Sequence, residues 1–539
     1  MNIISRLERA SEAHPAKPAL IFFSPQNKRW NTITYQNLAD SIQRFASGLL
    51  NFGVTPGMTA ALLTPPSADF FALASALLKV GVVPIILDPT IGLKKMGECL
   101  AESKPDIFIG NTLTHTLRVI FGWGKNSIKH NLTIKSVKSD ALSLSKGRKS
   151  KVKYPITNYQ SPITNSAAII YTSGSTGIPK GVLFTHENFA AQLDILVDTF
   201  HISPDEIDLP AFPLYALIDV LLGVTSVIPD ITFPVPGKTD PKKVIEAIQR
   251  FNVTNMFASP VVLDILSSFA LSGADAKSKR LPSLKRVITA GAPAMIQLQE
   301  DFRKLLNDET DLFGIYGATE VLPIAKVESR EIFEVRKKSA KGAGVCLGRP
   351  VNGAKVRVIG ISESAIRQWQ DSLEVESNVV GEITVQGGAV TESYIAREDA
   401  NRLSKIQHED GIIHRMGDVG YFDEEGRLWY CGRKSHRVIT NNDVLFTEQI
   451  EGIFNVHPLV YRTALVGVDG EPVLWVELKK GVLENKDKIR SVLIELAKEH
   501  PQASKIKVFL FMKKFPTDVR HNSKIIREEL TLLAEKRLV

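Results

Sequence analysis

Cysteine is scarce in this 539-residue chain. Cys99, Cys346 and Cys431 stand far apart and form no Cys-x-x-Cys pair. That argues against a disulfide framework or a zinc site and fits a reducing compartment. The first twenty residues hold no uninterrupted apolar core behind a basic region, so no signal peptide is expected. Long apolar runs are nearly missing too. Phe70 to Leu87 comes nearest, but Lys79, Gly81 and Pro84 interrupt it, and a lysine inside a spanning helix is costly. It reads as a helix, a glycine turn and a buried strand from Val82 to Leu87. No internal repeat is visible.

Acid is missing from one stretch. Between Lys125 and Lys153, Asp140 alone opposes Lys125, Lys129, Lys135, Lys138, Lys146, Arg148, Lys149, Lys151 and Lys153, a basic excess equal to the net charge of +8. The stretch lacks the interleaved aromatics of a single-strand binder and any helix-turn-helix or zinc signature, so no nucleic acid is expected. Serine-rich and polar, it reads as a solvated, disordered insertion over residues 122–160. Contact with an anionic membrane surface is the second reading.

What remains is ordinary globular composition, 44% hydrophobic and 23% charged, in a chain too long for one core. Tyr35 to Phe52 carries Leu38, Ile42, Phe45 and Leu49 at helical spacing and stops at Gly53. Ala60–Leu63 reads as a strand, Pro241–Phe251 as an amphipathic helix, Val253–Ala258 as a strand and Pro260–Leu271 as a helix. Leu214 to Ile228 is an almost wholly apolar, helix-like run. Repeated strand–helix alternation argues for an α/β fold.

The chemistry concentrates in five places. After the apolar strand Ala167–Ile170 comes Tyr171-Thr172-Ser173-Gly174-Ser175-Thr176-Gly177-Ile178-Pro179-Lys180-Gly181. Glycines admit backbone N–H groups close to an anion, hydroxyls add donors and lysine adds charge, so the loop suits a polyphosphate. Pro179 before the lysine and Gly181 after it exclude the common NTPase loop, in which Gly-Lys-Ser/Thr opens a helix. A strand near Leu284–Thr289 ends at Gly291-Ala292-Pro293, where no large side chain obstructs a flat ring. Tyr316-Gly317-Ala318-Thr319-Glu320 ends in a carboxylate, and Asp418 stands among glycines in Met416-Gly417-Asp418-Val419-Gly420. Asp423 to Gly426 is a hairpin turn. Phe515 to Arg527 closes the series with Asn522-Ser523-Lys524.

In this order the elements resemble the signature motifs of the adenylate-forming superfamily: acyl-CoA synthetases, adenylation domains and luciferases. The resemblance covers nearly the whole chain outside the basic stretch. It implies a large N-terminal multi-sheet α/β domain (residues 1–432) and a small mobile α+β lid (433–539), hinged within Arg433–His436. It also implies ATP and Mg²⁺. Thr172, Ser173, Gly174, Ser175, Thr176, Gly177 and Lys180 would handle the β,γ-phosphates. Gly291, Ala292 and Pro293 would back the adenine, on which Tyr316 packs beside Gly317. Thr319 would meet phosphate, Glu320 would hold the metal, Asp418 the ribose, and Arg433 would mark the domain boundary. Lys524 would bridge carboxylate and α-phosphate, making Lys524, Glu320 and Lys180 the catalytic set.

Three departures lie near the thiol-transfer elements of acyl-CoA synthetases. Ala216 follows Pro213-Leu214-Tyr215 where a histidine is common. The lid pattern becomes Ser435-His436-Arg437-Val438, then Asn441-Asn442, then Thr447-Glu448. Asn522-Ser523 precedes Lys524 in place of Ser-Gly. The combination resembles the olefin-biosynthesis β-lactone synthetases, which act on long-chain β-hydroxy acids without CoA. The expected activity is therefore ATP-dependent formation of a fatty acyl-AMP, followed by lactone closure. Transfer to CoA is the alternative, so CoA stays open as a co-substrate. Phe212, Tyr215 and Ala216 are the acyl-pocket candidates, although the run Leu214–Ile228 could equally be a core helix. The partner expected is a small-molecule fatty acid, with other enzymes of a lipid pathway as candidate associates and the cytoplasm, or a membrane surface facing it, as the location.

Overall fold

Tyr35, Leu38, Ile42, Phe45 and Leu49 bury one side of the helix Tyr35–Asn51, and Thr34 caps it by accepting from the amide of Asn37. Gly53, at φ +80°, then turns the chain away. In the computed structural model, residues 2–24, 28–135, 165–172, 179–232, 235–272, 276–292, 295–517 and 524–538 are described. The Phe70 region resolves as read: helix Ala68–Lys79, Gly81 at φ +75° and strand Val83–Ile86. No described helix is long and apolar enough to cross a membrane.

Among the described residues the fold is α/β with three large sheets. The nine-stranded sheet has six parallel strands at its centre, from Asp311–Ala318 through Arg286–Thr289, Asn255–Ala258, Ile207–Pro210 and Thr225–Ile228 to Pro18–Ser24. A seven-stranded sheet centres on Ser166–Tyr171, Val83–Ile86 and Thr59–Leu63. A six-stranded antiparallel sheet contains Gly381–Gln386, Gly411–Phe422 and Leu428–Arg433. Parallel strands covered on both faces by helices must be apolar throughout, which is why these strands read as short hydrophobic runs.

Two readings need correction. Leu214–Ile228 is not one helix: a 3₁₀ turn Pro213–Tyr215 and a helix Ala216–Leu222 end at Gly223, φ +78°, before the strand Thr225–Ile228. Apolar content alone cannot separate a short helix from a buried strand. The basic insertion also begins later than residue 122. Trp123 is 3% exposed and packs with Met96, Cys99 and Phe108, while His130–Leu132 pairs with Ile107–Gly110 at the sheet edge. Apolar residues interleaved with the lysines fold residues 122–135 onto the body; 136–160 lie outside the described residues.

Beyond the 3₁₀ turn Lys434–His436 the chain builds its own core. Two apolar clusters contain only residues from Val438 onward, around the strands Val460–Val468, Glu471–Leu478 and Val508–Met512. Arg527 is clamped by Glu451 through two bonds of 2.6 and 3.0 Å, and it also donates to the carbonyl of Leu465. A bidentate guanidinium–carboxylate pair fixes orientation as well as distance. The segment just after Lys524 is thereby pinned to this smaller unit.

A buried acidic pair lies in the large part. Asp208, on Ile207–Pro210, faces Asp219, which accepts from Ser226 Oγ at 2.6 Å. Burial pushes Asp208 up to about 7 and raises Asp219 well above the usual carboxylate range, so Asp219 holds a proton in the folded state. Both pKa values are raised on folding. Their contribution to stability is therefore complete below about pH 4 and is lost as pH rises towards 7 and beyond. The buried histidines His186 and His414, pushed down by burial, tilt the whole curve the other way. The difference between a variant and its parent isolates the pair. Asp219→Asn mimics the protonated acid, so its melting temperature should match the parent's at pH 4 and exceed it by a margin that grows up to pH 8. A constant offset across that range would refute the assignment.

Candidate functional site

The strand Ser166–Tyr171 ends where Tyr171 pairs with Gly181, and two bonds close the neck of the loop between them. Thr172 N–H donates to the carbonyl of Lys180 at 3.0 Å, and Lys180 N–H donates to Thr172 Oγ1 at 3.2 Å. Gly181 allows this: a Cβ there would meet Tyr171 and Ile395 inside 3.0 Å. Ser173, Gly174, Ser175, Thr176 and Gly177 lie outside the described residues, as does Pro293. Lys180 itself points towards Tyr394, its Nζ 4.9 Å from the ring centroid.

Glu320 sits on the two-residue turn Thr319-Glu320 between the antiparallel strands Asp311–Ala318 and Val321–Glu328. The turn is tight because Gly317 has no side chain. A Cβ would stand 2.8 Å from the carbonyl oxygen of Val321 and 2.6 Å from Leu322. The carboxylate is buried at 9% exposure, and Oε1 accepts from the Tyr394 hydroxyl at 2.5 Å. Its backbone carbonyl accepts from Thr391 N–H and Oγ1 at 3.0 and 3.1 Å.

Tyr394 and Lys405 are the two members of this cluster that the motifs did not reveal. Lys405 Nζ lies 5.6 Å from the Tyr394 ring centroid and donates to the carbonyl of Thr391. Burial pushes it down to about 8, which leaves it largely cationic at neutral pH. Burial likewise lowers Lys180, against the pull of Glu320. One carboxylate, two ammonium groups and one phenol therefore lie close together. Neither new member carries a local sequence signal: a lysine opening the strand Lys405–His408 reads as a solvated edge residue.

Asp418 and Arg433 stand directly opposite each other where Gly411–Phe422 pairs with Leu428–Arg433. Arg433 Nη1 donates to Asp418 Oδ1 at 2.8 Å, and Tyr316 Oη donates to Asp418 Oδ2 at 2.7 Å. Asp418 is the main reason that Arg433 is raised above its ordinary value, while burial and then Asp418 raise Tyr316. Gly291, at φ +97°, and Ala292 follow the strand Arg286–Thr289, and a glycine suits that left-handed turn.

Lys180, Glu320, Tyr394, Tyr316, Asp418, Arg433, Gly291 and Ala292 line one continuous cleft of about 2460 Å³, which also reaches Thr319, Lys524 and Arg527, while Lys405 lies buried behind Tyr394. The cleft has an apolar arm lined by Ile4, Leu78, Phe189, Leu217, Ile218 and Leu221. Phe212 and Tyr215 lie on its wall, Tyr215 stacked on Phe257 at 3.7 Å. Ala216 does not. It is fully buried with Val220 in the core around Tyr35 and Phe45, because residues four apart on a helix share a face and this face points away from the cleft. Asn441 and Asn442, exposed in the turn between Val438–Ile439 and Val444–Leu445, take no positive φ, so the turn has no need of glycine. Thr440 and Asp443 close it by a 2.8 Å backbone bond.

Residues 7–395 match the family model described as AMP-binding enzyme. The olefin beta-lactone synthetase of Xanthomonas campestris pv. campestris is 39% identical over 94% of this chain and 92% of its own. That of Stenotrophomonas maltophilia is 38% identical over the same shares. Among solved structures, O-succinylbenzoate coenzyme A synthetase from Bacillus subtilis, in complex with ATP and magnesium ion, superposes with a TM-score of 0.74 over 97% of this chain and 98% of its own, at 21% identity. Its fold, a large N-terminal and a small C-terminal domain, is the fold seen here. This chain belongs to the AMP-binding enzyme family and is an AMP-forming ligase of the adenylate-forming superfamily, similar along nearly its whole length to the olefin β-lactone synthetases.

Proposed function

We propose that this ligase activates a long-chain β-hydroxy fatty acid as its acyl-AMP and then closes it to a β-lactone without CoA. The observation that carries the reading is the cleft, in which the charged cluster of Lys180, Glu320, Asp418 and Arg433 runs into an arm walled by aliphatic and aromatic side chains. A charged head and an alkyl tail in one molecule match that division. Similarity to two synthetases of that name supports the lactone step.

In the first step a carboxylate oxygen bonds the α-phosphorus of ATP while the bond to the bridging oxygen breaks, and pyrophosphate leaves with that electron pair. Asp418 and Arg433 would hold the ribose, Tyr316, Gly291 and Ala292 the adenine, and Lys180 with Thr172 the distal phosphates. Glu320 fits a magnesium ligand: Tyr394 occupies only Oε1 and fixes the orientation of the carboxylate, and the residue lines the cleft. Bound there, Mg²⁺ would neutralise phosphate charge. Lys524 would stabilise the negative charge that develops between carboxylate and α-phosphate. In the second step the β-hydroxyl oxygen bonds the acyl carbon, its proton is released, and AMP leaves with the electrons of the anhydride bond. The boundary between the two domains would fall at 432/433, a reading supported by the turn Lys434–His436 that follows Arg433.

Incubation with ATP, Mg²⁺ and a 3-hydroxy fatty acid, without CoA, should yield lactone and AMP. Acyl-CoA formed only after CoA is added, with no lactone at any point, would overturn the second step and leave the first. Lys524→Ala should slow pyrophosphate–ATP exchange by about 10²–10³ with little change in melting temperature; exchange at the parental rate would remove Lys524 from the mechanism. Asp418→Asn weakens the acceptor for Arg433, Tyr316 and the ribose together. It should raise the dissociation constant for ATP, measured by calorimetry, roughly tenfold or more.

A further inference from the structure

The helix Thr112–Phe121 turns its apolar residues outward. Its outer side carries Thr112, Leu113, Thr116, Val119, Ile120 and Phe121, none of them charged. Leu113 is 65% exposed, Val119 69% and Ile120 68%. The one arginine of the helix, Arg118, points inward: its guanidinium lies 5.6 Å over the ring of Phe108, and its Nε is buried without a hydrogen-bond partner. His115 also faces in, its Nε2 2.9 Å from the carbonyl of Leu132. Burying an arginine while leaving aliphatic side chains in water is unfavourable twice over. Singly exposed apolar residues are ordinary, but four on ten consecutive residues form a patch that calls for a partner.

Cations surround the patch. Trp123 packs against Gly97, which brings the end of this helix beside the first turns of the helix Leu93–Ser103. There Leu93, Lys94 and Lys95 are exposed. Lys125 and Lys129 are exposed on the chain that leaves the helix; Asp106, 2.9 Å from Lys129, is the acid that answers them. In sequence the basic excess continues past Lys135 with Asp140 as its one acid.

We propose that this corner docks on an anionic membrane surface. Leu113, Val119, Ile120 and Phe121 seat at the headgroup–acyl boundary, and Lys94, Lys95, Lys125 and Lys129 meet lipid phosphates. Ten residues of helix reach only about 15 Å, half the thickness of a bilayer core, so the helix lies in the interface and does not span it. A rim in which the exposed lysines outnumber the acids Asp106 and Glu98 favours lipid over protein, because each lysine near an anionic surface adds about 1 kcal/mol with no need of a matched partner geometry. The arrangement would hold the enzyme where an alkyl substrate for the apolar arm of the cleft is stored.

Flotation with vesicles tests it, using equal parts phosphatidylglycerol and phosphatidylcholine against phosphatidylcholine alone. The parent should float with the anionic vesicles roughly tenfold more than with the neutral ones, and high salt should release it. The double variant V119E/I120E should lose that binding while keeping the parental melting temperature, and K94E/K95E should lose the preference for anionic lipid. A parent that floats with neither vesicle, or a V119E/I120E variant that floats as well as the parent, overturns the proposal. So does a parent that is dimeric by light scattering, splits in V119E/I120E and ignores vesicles, since the patch is then an interface between two copies.

Discussion

One carboxylate, Asp418, ties three parts of this molecule together. Through Oδ2 it takes the hydroxyl of Tyr316 from the nine-stranded sheet, and through Oδ1 the guanidinium of Arg433 from the last strand before the lid. It does so because the register of Gly411–Phe422 on Leu428–Arg433 sets it opposite Arg433. A slip of one residue would send either side chain to the other face of the sheet and break the link. The two sheets, which also share an apolar cluster, and the start of the smaller domain are therefore linked by one charged hydrogen-bonded chain. In the proposed reading this is also the place where nucleotide binds, so binding would be felt directly at the base of the lid.

The second organising contact is held differently. Glu320 owes its position to a tight turn made possible by Gly317, and its orientation to Tyr394, which follows it in sequence by more than seventy residues. Lys180 and Lys405 stand near the same ring. Two cations near one carboxylate leave a local positive excess that suits a polyanion better than a lone metal ion would. Tyr394 would keep the carboxylate from collapsing onto either lysine, an arrangement that leaves one oxygen for an ion and the Lys180 ammonium facing the cleft.

What the sequence made legible was whatever is local. Lys180, Glu320, Asp418, Arg433 and Lys524 sit in short segments whose residue types announce anions, metals and diols, and the structure brings them to one cleft. Helices with clean periodicity, such as Pro241–Phe251 and Pro260–Leu271, match to the residue. Long-range partners were not legible. Nothing near Tyr394 or Lys405 announces Glu320, and nothing near Glu451 announces Arg527, because those pairings depend on how separate sheets and helices pack. Leu214–Ile228 misled for the opposite reason: when every residue is apolar, period carries no information, and only Gly223 marks where the helix stops and the strand begins. Ala216 followed the same error, since a residue's face on a helix depends on where the helix starts.

The departures near the lid can now be weighed against the rest. Asn441 and Asn442 fit a turn that needs no left-handed residue, so their side chains stand at a surface where a glycine pair would leave open backbone. Arg527 and Glu451 lock the far end of the segment carrying Lys524 onto the lid's own core, independently of that turn. A small domain built this way would keep Lys524 in place while the surface around Asn441 and Asn442 changes. An acyl acceptor already inside the substrate needs no such surface. The two sets of residues are thus free to vary separately, and an altered surface turn together with an intact charged cluster is what an enzyme with an internal nucleophile would be expected to tolerate.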